Sequence, residues 1–324
     1  MTDSELLYLS RADVEAVGLE METIIQLLEQ AFVEYGSGRA EMPPKIGIHT
    51  QPDAFIHAMP AYIPAMQAAG LKWVGGYPEN YTHNLPYITG LIVLNDLITG
   101  LPYAVMDSTW ITAYRTGGAT LLSAIRLARP DSQVAGIIGC GGQGRTNLEA
   151  LMTRYPIRRV FAYDISTAAC QRYCEEMSDR FNIEVIPVDE PRQAVVDCDL
   201  VVAAGPLRKK IVATIQRGWL KPGAFASSVD FGSCWSLESL RQVDRLATDD
   251  LPQFEVYRGL GYFEGFPRPY AGLGELITGQ QPGRASDQER TLAINLGLAL
   301  EDLAVAPEVY RHAKARGLGT RLAL

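Results

Sequence analysis

A short glycine-rich segment near the middle of the chain constrains its fold most strongly. Residues 134–152 read VAGIIGCGGQGRTNLEALM, in which Gly139, Gly141 and Gly144 form a G-x-G-x-x-G pattern between an apolar run and a helical segment. In that context the glycines allow a tight turn, close approach of the backbone to a pyrophosphate, and close packing of helix on strand. Because the helix would direct its positive dipole end at the phosphates, the segment predicts a dinucleotide-binding βαβ unit.

The next apolar run, RRVFAYD, ends in an acid at the spacing expected of such a unit. Asp164 lies 20 residues after Gly144, where a carboxylate can accept hydrogen bonds from the ribose hydroxyls of an adenosine. An acid repels a 2′-phosphate and no arginine follows it directly, so NAD is predicted rather than NADP. The alternatives are a structural turn without a nucleotide and a solvated strand end. The predicted cofactor contacts in this region are Gly139, Gly141, Gln143, Gly144 and Asp164.

The spacing of apolar runs predicts the fold class. Beyond residue 128, compact runs alternate with helix-length segments, which predicts an α/β domain with a Rossmann doubly wound parallel sheet. Before it, the periodicity predicts one helix from a Ser10 cap to Gly36, then short strands rich in β-branched and aromatic residues. A helix over residues 108–128 leads out of this region, which therefore has α+β character.

The end of the chain suggests a discontinuous first domain. A long helix is predicted from about residue 287 to 315, and the tail GLGTRLAL after it has no evident strand to join. If this helix crosses back, residues 1–128 with 303–324 form one discontinuous domain, and 129–302 form the NAD-binding domain. The acid pairs Asp249–Asp250 and Glu301–Asp302 are predicted to cap or solvate helices.

Composition excludes several functions. The 324 residues carry a formal net charge of −8, so no overall positive field attracts nucleic acid or an anionic membrane. No apolar run approaches the length of a membrane span, and the N-terminal segment is acidic where a signal peptide would be basic, which predicts a cytoplasmic protein. The 5 cysteines form no CxxC pair and have no companion histidines at metal spacing, so no metal site is predicted.

Three further segments carry a family resemblance. They are GLKWVGGYPEN with Lys72 inside an apolar strand, NDLITGLPYAVMDSTWITAYRTGGAT with Arg115, and LGELITGQQPGRASDQERTLAINLGLALEDLAVAPEVY. Together with the glycine motif they resemble the ornithine cyclodeaminase/μ-crystallin family, which includes archaeal-type alanine dehydrogenases, ketimine reductases and imine-forming amino-acid synthases. The resemblance extends from about residue 43 to 319.

The resemblance implies that residues 1–128 with 303–324 form a substrate-binding and dimerisation domain, and that the protein is a homodimer. It implies that Lys72 and Arg115 hold the α-carboxylate of a small amino-acid or imine substrate beside the nicotinamide, that Lys45 assists them, and that Thr116 lies near the cofactor phosphates. The residue types suit this chemistry, because an arginine binds a carboxylate bidentately and a partly desolvated lysine can exchange protons. Read locally, Lys72 is also compatible with a snorkelling strand-end lysine, and Arg115 with a surface ion pair.

Two departures from the ornithine cyclodeaminase pattern concern the substrate. Those enzymes have a carboxylate two residues before a Met-Pro pair, where this chain has His57, and an acid in a G-x-D-x-P-G-K segment that reads SSVDFGSCWS here. Asp230 is the nearest replacement for that acid. Both departures weaken the case for binding an ornithine side-chain ammonium. His57 and Asp230 are nevertheless candidates for acid–base catalysis with Lys72, and a hydrogen-bonded sheet histidine is the alternative for His57.

The leading hypothesis is therefore an NAD(H)-dependent enzyme that exchanges a hydride between an amino-acid Cα and nicotinamide through an imine, as an amino-acid dehydrogenase or an imine reductase. One alternative is a true ornithine cyclodeaminase, which forms proline and ammonia while recycling NAD. A second is a non-catalytic, NAD(P)H-dependent binder of small molecules. Retention of both Lys72 and Arg115 argues against the binder.

Overall fold

The structure, a computed structural model, describes residues 5–324 apart from the side chain of Tyr81. Residues 1–4, which the sequence places in the first domain, lie outside this range. The helices and strands are β1 Glu5–Leu9, α1 Arg11–Val17, α2 Met21–Gly36, β2 Ile46–Ile48, β3 Phe55–Ile63, β4 Ala68–Gly76, β5 Ile88–Asn95, β6 Pro102–Asp107, α3 Thr109–Leu127, β7 Val134–Ile138, α4 Gly142–Met152, β8 Arg159–Tyr163, α5 Thr167–Phe181, β9 Glu184–Pro187, β10 Leu200–Ala203, β11 Phe225–Ser228, α6 Leu237–Leu240, β12 Arg245–Thr248, α7 Leu251–Gly259, β13 Ala271–Gly272, α8 Leu273–Thr278, β14 Thr291–Ile294, α9 Ala299–Ala315 and β15 Thr320–Ala323.

The chain divides into two units. Unit 1 comprises Met1–Arg115 and Leu298–Leu324, and unit 2 comprises Thr116–Gly297. Unit 1 is thus discontinuous, and its boundaries at 115 and 298 lie earlier along the chain than the sequence-based boundaries at 128 and 303. The assignment of substrate binding and NAD binding to these parts stays a prediction at this point.

Unit 1 is built on a mixed sheet in the order β15-β1-β6-β5-β4-β3-β2. Strands β2 to β6 are antiparallel to one another, whereas β1 runs parallel to β6 and antiparallel to β15. Side chains alternate between faces, as the pleat requires, so that Met59 of β3, Lys72 of β4 and Ile92 of β5 stand side by side on the buried face. Helix α9 packs against that face at β3, β4 and β5.

The N-terminal helical region differs from the single helix predicted by its periodicity. Ser10 caps α1 as expected, in a capping box with Asp13, but α1 ends at Val17 and is followed by Gly18, which has φ 60° in the left-handed region. A second helix, α2, begins at Met21. The apolar spacing continues through the break because both helices bury one face, and the prediction of one helix was therefore wrong. The left-handed glycine is a common helix terminus.

Unit 2 is built on a parallel sheet in the order β13-β12-β14-β11-β10-β7-β8-β9. Each strand pairing among the described residues of this sheet is parallel. The order reverses between β7 and β10, and ligands of such sheets bind at that switch point, outside the carboxyl ends of the strands. The predicted Rossmann doubly wound α/β fold is confirmed.

The C-terminal region corrects two predictions. The segment predicted as one helix from residue 287 contains the buried strand β14 at Thr291–Ile294, and α9 begins only at Ala299. The tail also joins a strand, because β15 pairs with β1 through Glu5 with Ala323 and Tyr8 with Thr320. β15 is exposed and its short sequence carries no clear alternation, so only the distant partner strand defines it. Among residues 5–324, none of the helices has the length and apolar character needed to cross a bilayer.

Candidate functional site

Lys72 occupies the middle of β4 and not its end. Its side chain is 1% exposed, and the neighbouring positions on β3 and β5 are the apolar Met59 and Ile92. Its Nζ lies 2.6 Å from Asp302 Oδ2 and donates a long hydrogen bond of 3.4 Å to Thr112 Oγ1. Burial lowers the pKa of Lys72 to about 8, although Asp302 opposes the shift. Lys72 is therefore buried and paired, in contrast to a snorkelling side chain.

Arg115 lies on α3 and pairs with Asp302, the partner of Lys72, and with the neighbouring Glu301. Its Nη1 forms a close ion pair with Glu301 Oε2, and its Nε lies 3.3 Å from Asp302 Oδ1. Both carboxylates project from the first turn of α9 and are fully buried, while the Arg115 side chain is 7% exposed. Asp302 thus bridges the two cations. We refer to Lys72, Arg115, Glu301 and Asp302 as the charged tetrad.

The role predicted for Glu301 and Asp302 was wrong. They were expected to cap or solvate a helix, but each is fully buried and forms ion pairs with residues of α3 or β4. The sequence contains a signal for this: in LGLALEDLAVA the two acids lie within an apolar run, so a helix there would be apolar on nearly every face. Buried acids require cationic partners or hydrogen-bond donors. In the other acid pair, Asp249–Asp250, the predicted capping role is observed for Asp250, which caps α7 by accepting a hydrogen bond from Gln253 N at 2.8 Å.

His57 lies on the same buried face of β3. Its ring stacks on Phe55 with centroids 4.2 Å apart, and the His49 ring lies edge-on at 6.2 Å. Burial, together with the charges of Lys45, His49 and Lys72, lowers the pKa of His57 to about 3. His57 is therefore neutral at physiological pH. Lys45, half-buried just before β2, acts on His57 electrostatically, which places it in the same neighbourhood.

The glycine loop of unit 2 has the geometry that the motif requires. Gly139 follows β7 with φ 98°, and a Cβ on it would meet Ala204 O, which follows β10, at 2.5 Å. A Cβ on Gly144 would lie 2.3 Å from Gly139 O, because α4 packs directly on the turn. At Gly141, the N-cap of α4, a Cβ would meet nothing within 4 Å. The loop is thus tight on its protein side and open where a pyrophosphate would approach.

Asp164 lies at the end of β8, beside this loop. Its Oδ2 accepts from Cys140 N at 2.8 Å and its Oδ1 from Ser166 N at 2.9 Å, so the carboxylate is fixed in position. Each carboxylate oxygen has a second lone pair for a ribose hydroxyl. The next residue, Ile165, is 94% exposed and offers no positive charge for a 2′-phosphate. Gln143, in the first turn of α4, is half-buried near the open side of the loop.

Asp230 is enclosed within unit 2. It is fully buried beyond the end of β11, and it accepts from the hydroxyls of Ser228 and Ser233 and from Cys234 N at 2.9 Å. Burial raises its pKa, and these hydrogen bonds oppose the shift. The geometry suits a carboxylate that holds the 228–234 turn together. Its catalytic role stays a prediction, as does the cofactor contact of Thr116, which follows Arg115 on α3 and is 8% exposed.

Apart from Thr116 and Asp230, the predicted site residues form two groups. Unit 1 brings together Lys45, His57, Lys72 and Arg115, and unit 2 brings together the three motif glycines, Gln143 and Asp164. Within the described part of the chain, no cluster of histidine, cysteine or acidic side chains is arranged to hold a metal ion.

The Rossmann sheet with its open glycine loop, together with a separate unit carrying a buried cationic pair, defines a dinucleotide-binding protein of two units. The chain belongs to the ornithine cyclodeaminase/mu-crystallin family, whose model matches residues 5–317. The resemblance recognised in the sequence is confirmed.

Individual relatives extend over the whole chain. A nodulation efficiency protein of Rhizobium meliloti is 36% identical over 97% of both chains. The solved structure of Thermococcus litoralis Δ1-pyrroline-2-carboxylate reductase in complex with NADH and L-proline is 33% identical, with a TM-score of 0.86 over 97% of this chain and 99% of that one. An archaeal alanine dehydrogenase dimer with bound NAD is 34% identical, with a TM-score of 0.87 over 99% of both.

Proposed function

We propose that this chain is an NAD(H)-dependent oxidoreductase that exchanges a hydride between the Cα of a small amino acid and nicotinamide, through an imine. The observation that carries the proposal is the buried pair of Lys72 and Arg115, two cations that a purely structural strand and helix would not place together. Membership of the family and the similarity to a reductase and a dehydrogenase that act on amino acids or imines support it.

In this proposal unit 2 holds the dinucleotide. The open space at Gly141 and the amides at the start of α4 fit a pyrophosphate, and the fixed Asp164 carboxylate fits the ribose of NAD. When bound, NAD⁺ accepts a hydride from carbon and NADH returns it. The exposed Ile165 next to Asp164 supports NAD over NADP, because a 2′-phosphate would meet a carboxylate and no cation there.

Unit 1 holds the substrate in this proposal. Arg115 and Lys72 bind the α-carboxylate, and Lys45 assists from the segment before β2. Lys72, with its pKa lowered to about 8, exchanges the proton that the substrate nitrogen must lose on oxidation and regain on reduction. His57 contributes a neutral ring stacked on Phe55, which offers no charge to pair with a distal ammonium. This favours net oxidation or reduction over cyclodeamination of ornithine.

The test is a substrate panel measured by NADH absorbance. The purified protein is given amino acids with NAD⁺, 2-oxo acids with NADH and ammonia or amines, and cyclic imines with NADH. We expect net formation or consumption of NADH with at least one of these classes. Proline and ammonia from ornithine without net NADH would show a cyclodeaminase instead. Tight NADH binding without turnover on any member would favour the non-catalytic binder.

The lowered pKa of Lys72 predicts opposite pH profiles for the two directions. Lys72 is protonated below about pH 8 and neutral above it. Oxidation needs the neutral amine of Lys72 as a base, so kcat/KM should rise about tenfold per pH unit up to about 8 and then level off. Reduction needs the protonated form, so kcat/KM should fall above the same pH. A reductive rate that is flat from about pH 7 to 10 would exclude Lys72 from proton transfer. A His57→Asn variant should keep the position of the break, because the pKa of His57 is about 3.

We further propose that unit 1 forms a homodimer through the outer face of its sheet. Paired residues form a row across four strands, from Ile46 through Ala58 and Trp73 to Leu91. Ile46 is 73%, Trp73 49% and Leu91 40% exposed, an apolar surface that a single copy would leave in water. The dimer of the archaeal alanine dehydrogenase supports this assembly. Sedimentation equilibrium should give a dimer for the wild type and a monomer for Trp73→Glu; a dimeric Trp73→Glu protein would place the interface elsewhere.

A further inference from the structure

The positive and negative charges of the charged tetrad cancel one another. Two cations face two carboxylates, and each cation lies within ion-pair distance of at least one of them. With all four groups ionised the net charge is zero, in a place where every side chain is at most 7% exposed. A substrate that brings only a carboxylate would therefore leave one negative charge buried without compensation, which is costly.

Three carboxylate oxygens of the tetrad receive no hydrogen bond from the described residues, and two of them, those of Asp302, lie within ion-pair distance of Lys72 and Arg115. Glu301 Oε2 is paired with Arg115, but Glu301 Oε1 is buried and receives no hydrogen bond from the residues that the structure describes. A buried carboxylate oxygen without a donor is energetically unfavourable. An N–H donor from a bound ligand would satisfy it, and a protonated nitrogen would also restore the charge balance that the ligand's carboxylate disturbs.

We propose that Glu301 receives the protonated nitrogen of the substrate, so that the charged tetrad selects zwitterions over simple carboxylates. The carboxylate of the zwitterion binds Arg115 and Lys72, and its ammonium or iminium donates to Glu301 Oε1. A ligand that has the carboxylate without the nitrogen binds only when the tetrad takes up a proton, at Glu301. This inference rests on the proposed function, since it assumes that the cationic pair is the carboxylate site.

The surroundings of Glu301 identify it as the group that takes the proton. Burial raises its pKa and the charge of Asp302 adds to the shift, whereas Arg115 and Lys72 oppose it. On β3, His57 is neutral. The buried side chains that α1, α2 and β5 contribute are apolar, among them Val14, Leu28 and Ile92. A proton entering the tetrad therefore meets a carboxylate already destabilised in its charged form.

The first experiment uses the wild-type protein saturated with NADH, so that no reaction occurs. Two matched pairs of ligands are titrated calorimetrically, L-alanine against propionate and L-proline against cyclopentanecarboxylate, in two buffers of different ionisation enthalpy. We expect the zwitterion of a pair to bind about ten- to a hundredfold more tightly, as a charged hydrogen bond would give. We also expect propionate or cyclopentanecarboxylate to take up about one proton on binding, and the zwitterions to take up none.

The second experiment compares two variants on the same helix. Glu301→Gln makes the tetrad net positive, so the preference for the zwitterion should shrink to within about threefold and the proton uptake with the carboxylates should vanish. Glu308→Gln changes the same residue type further along α9, where Glu308 pairs with Arg311, and should behave as the wild type.

The outcomes separate this inference from the function on which it rests. Unchanged selectivity and unchanged proton uptake in Glu301→Gln would overturn the inference, as would equal binding of both members of each pair by the wild type without proton uptake. If neither member of either pair binds while NADH binds normally, the carboxylate site itself is wrongly assigned. In that case both the proposed function and the inference fail.

Discussion

Replacing Lys72 by methionine is expected to lower kcat/KM by about 10²- to 10⁴-fold, the range that a positioned proton-transfer group contributes. Methionine preserves much of the side-chain length between Met59 and Ile92 but removes the ammonium that faces Asp302. The dissociation constant for NADH should remain within about threefold, because the glycine loop and Asp164 belong to the other unit of the chain. Steady-state kinetics and fluorescence titration with NADH measure the two quantities.

The same substitution should also destabilise the protein, and this effect must be separated from catalysis. Without Lys72, the buried Asp302 keeps, among the described residues, only the 3.3 Å ion-pair contact with Arg115. Breaking a buried ion pair costs up to about 3–5 kcal/mol in the free energy of unfolding. The double variant Lys72→Met/Asp302→Asn removes both charges and should recover most of that stability. Its activity should stay low.

The comparison of these variants decides the role of Lys72. Recovery of activity together with stability in the double variant would make Lys72 a structural residue. Equal loss of NADH affinity and of turnover in Lys72→Met would place it at the cofactor. Lys314→Met, at an exposed position near the end of α9, is the matched control and should retain wild-type kinetics.

The parts of the fold and site that depend on local sequence were predictable. The glycine motif, its strand and helix, and Asp164 all lie within residues 134–164, and each is defined by its neighbours in sequence. A tight turn at Gly139 needs a positive φ, and the packing of α4 on the loop excludes a side chain at Gly144. These requirements are expressed as residue types at fixed spacing, and for that reason a sequence pattern can identify them.

The parts that depend on distant contacts were not predictable in the same way. Glu301 and Arg115 are separated by 186 positions, and their pairing requires α9 to return to the sheet of unit 1. Locally, Glu301–Asp302 reads as a pair of acids within the helix predicted from about residue 287, where acids are usually solvated. Only their depth in the fold shows that they balance Lys72 and Arg115. The strand β15 was missed for a related reason, because its partner β1 lies at the opposite end of the chain.

Replacing Gly141 by alanine is expected to leave the fold intact while weakening NADH binding about tenfold to a hundredfold. A Cβ at this position meets nothing within 4 Å in the protein, and the φ of −82° suits an alanine. The same methyl group would occupy the space through which a pyrophosphate approaches the amides of α4, and overpacking of this size costs about 1–3 kcal/mol. The melting temperature and the dissociation constant for NADH measure the two effects separately.

Substitutions at two further glycines serve as comparisons for Gly141→Ala. Gly144→Ala places its Cβ 2.3 Å from Gly139 O, so it should lower the melting temperature as well as NADH affinity, because α4 must move away from the loop. Gly259→Ala, at the exposed end of α7 with nothing within 4 Å and no positive φ, should leave both quantities unchanged or raise stability slightly. If Gly141→Ala binds NADH as tightly as Gly259→Ala does, the pyrophosphate does not approach the chain at Gly141, and the dinucleotide must be bound elsewhere on unit 2.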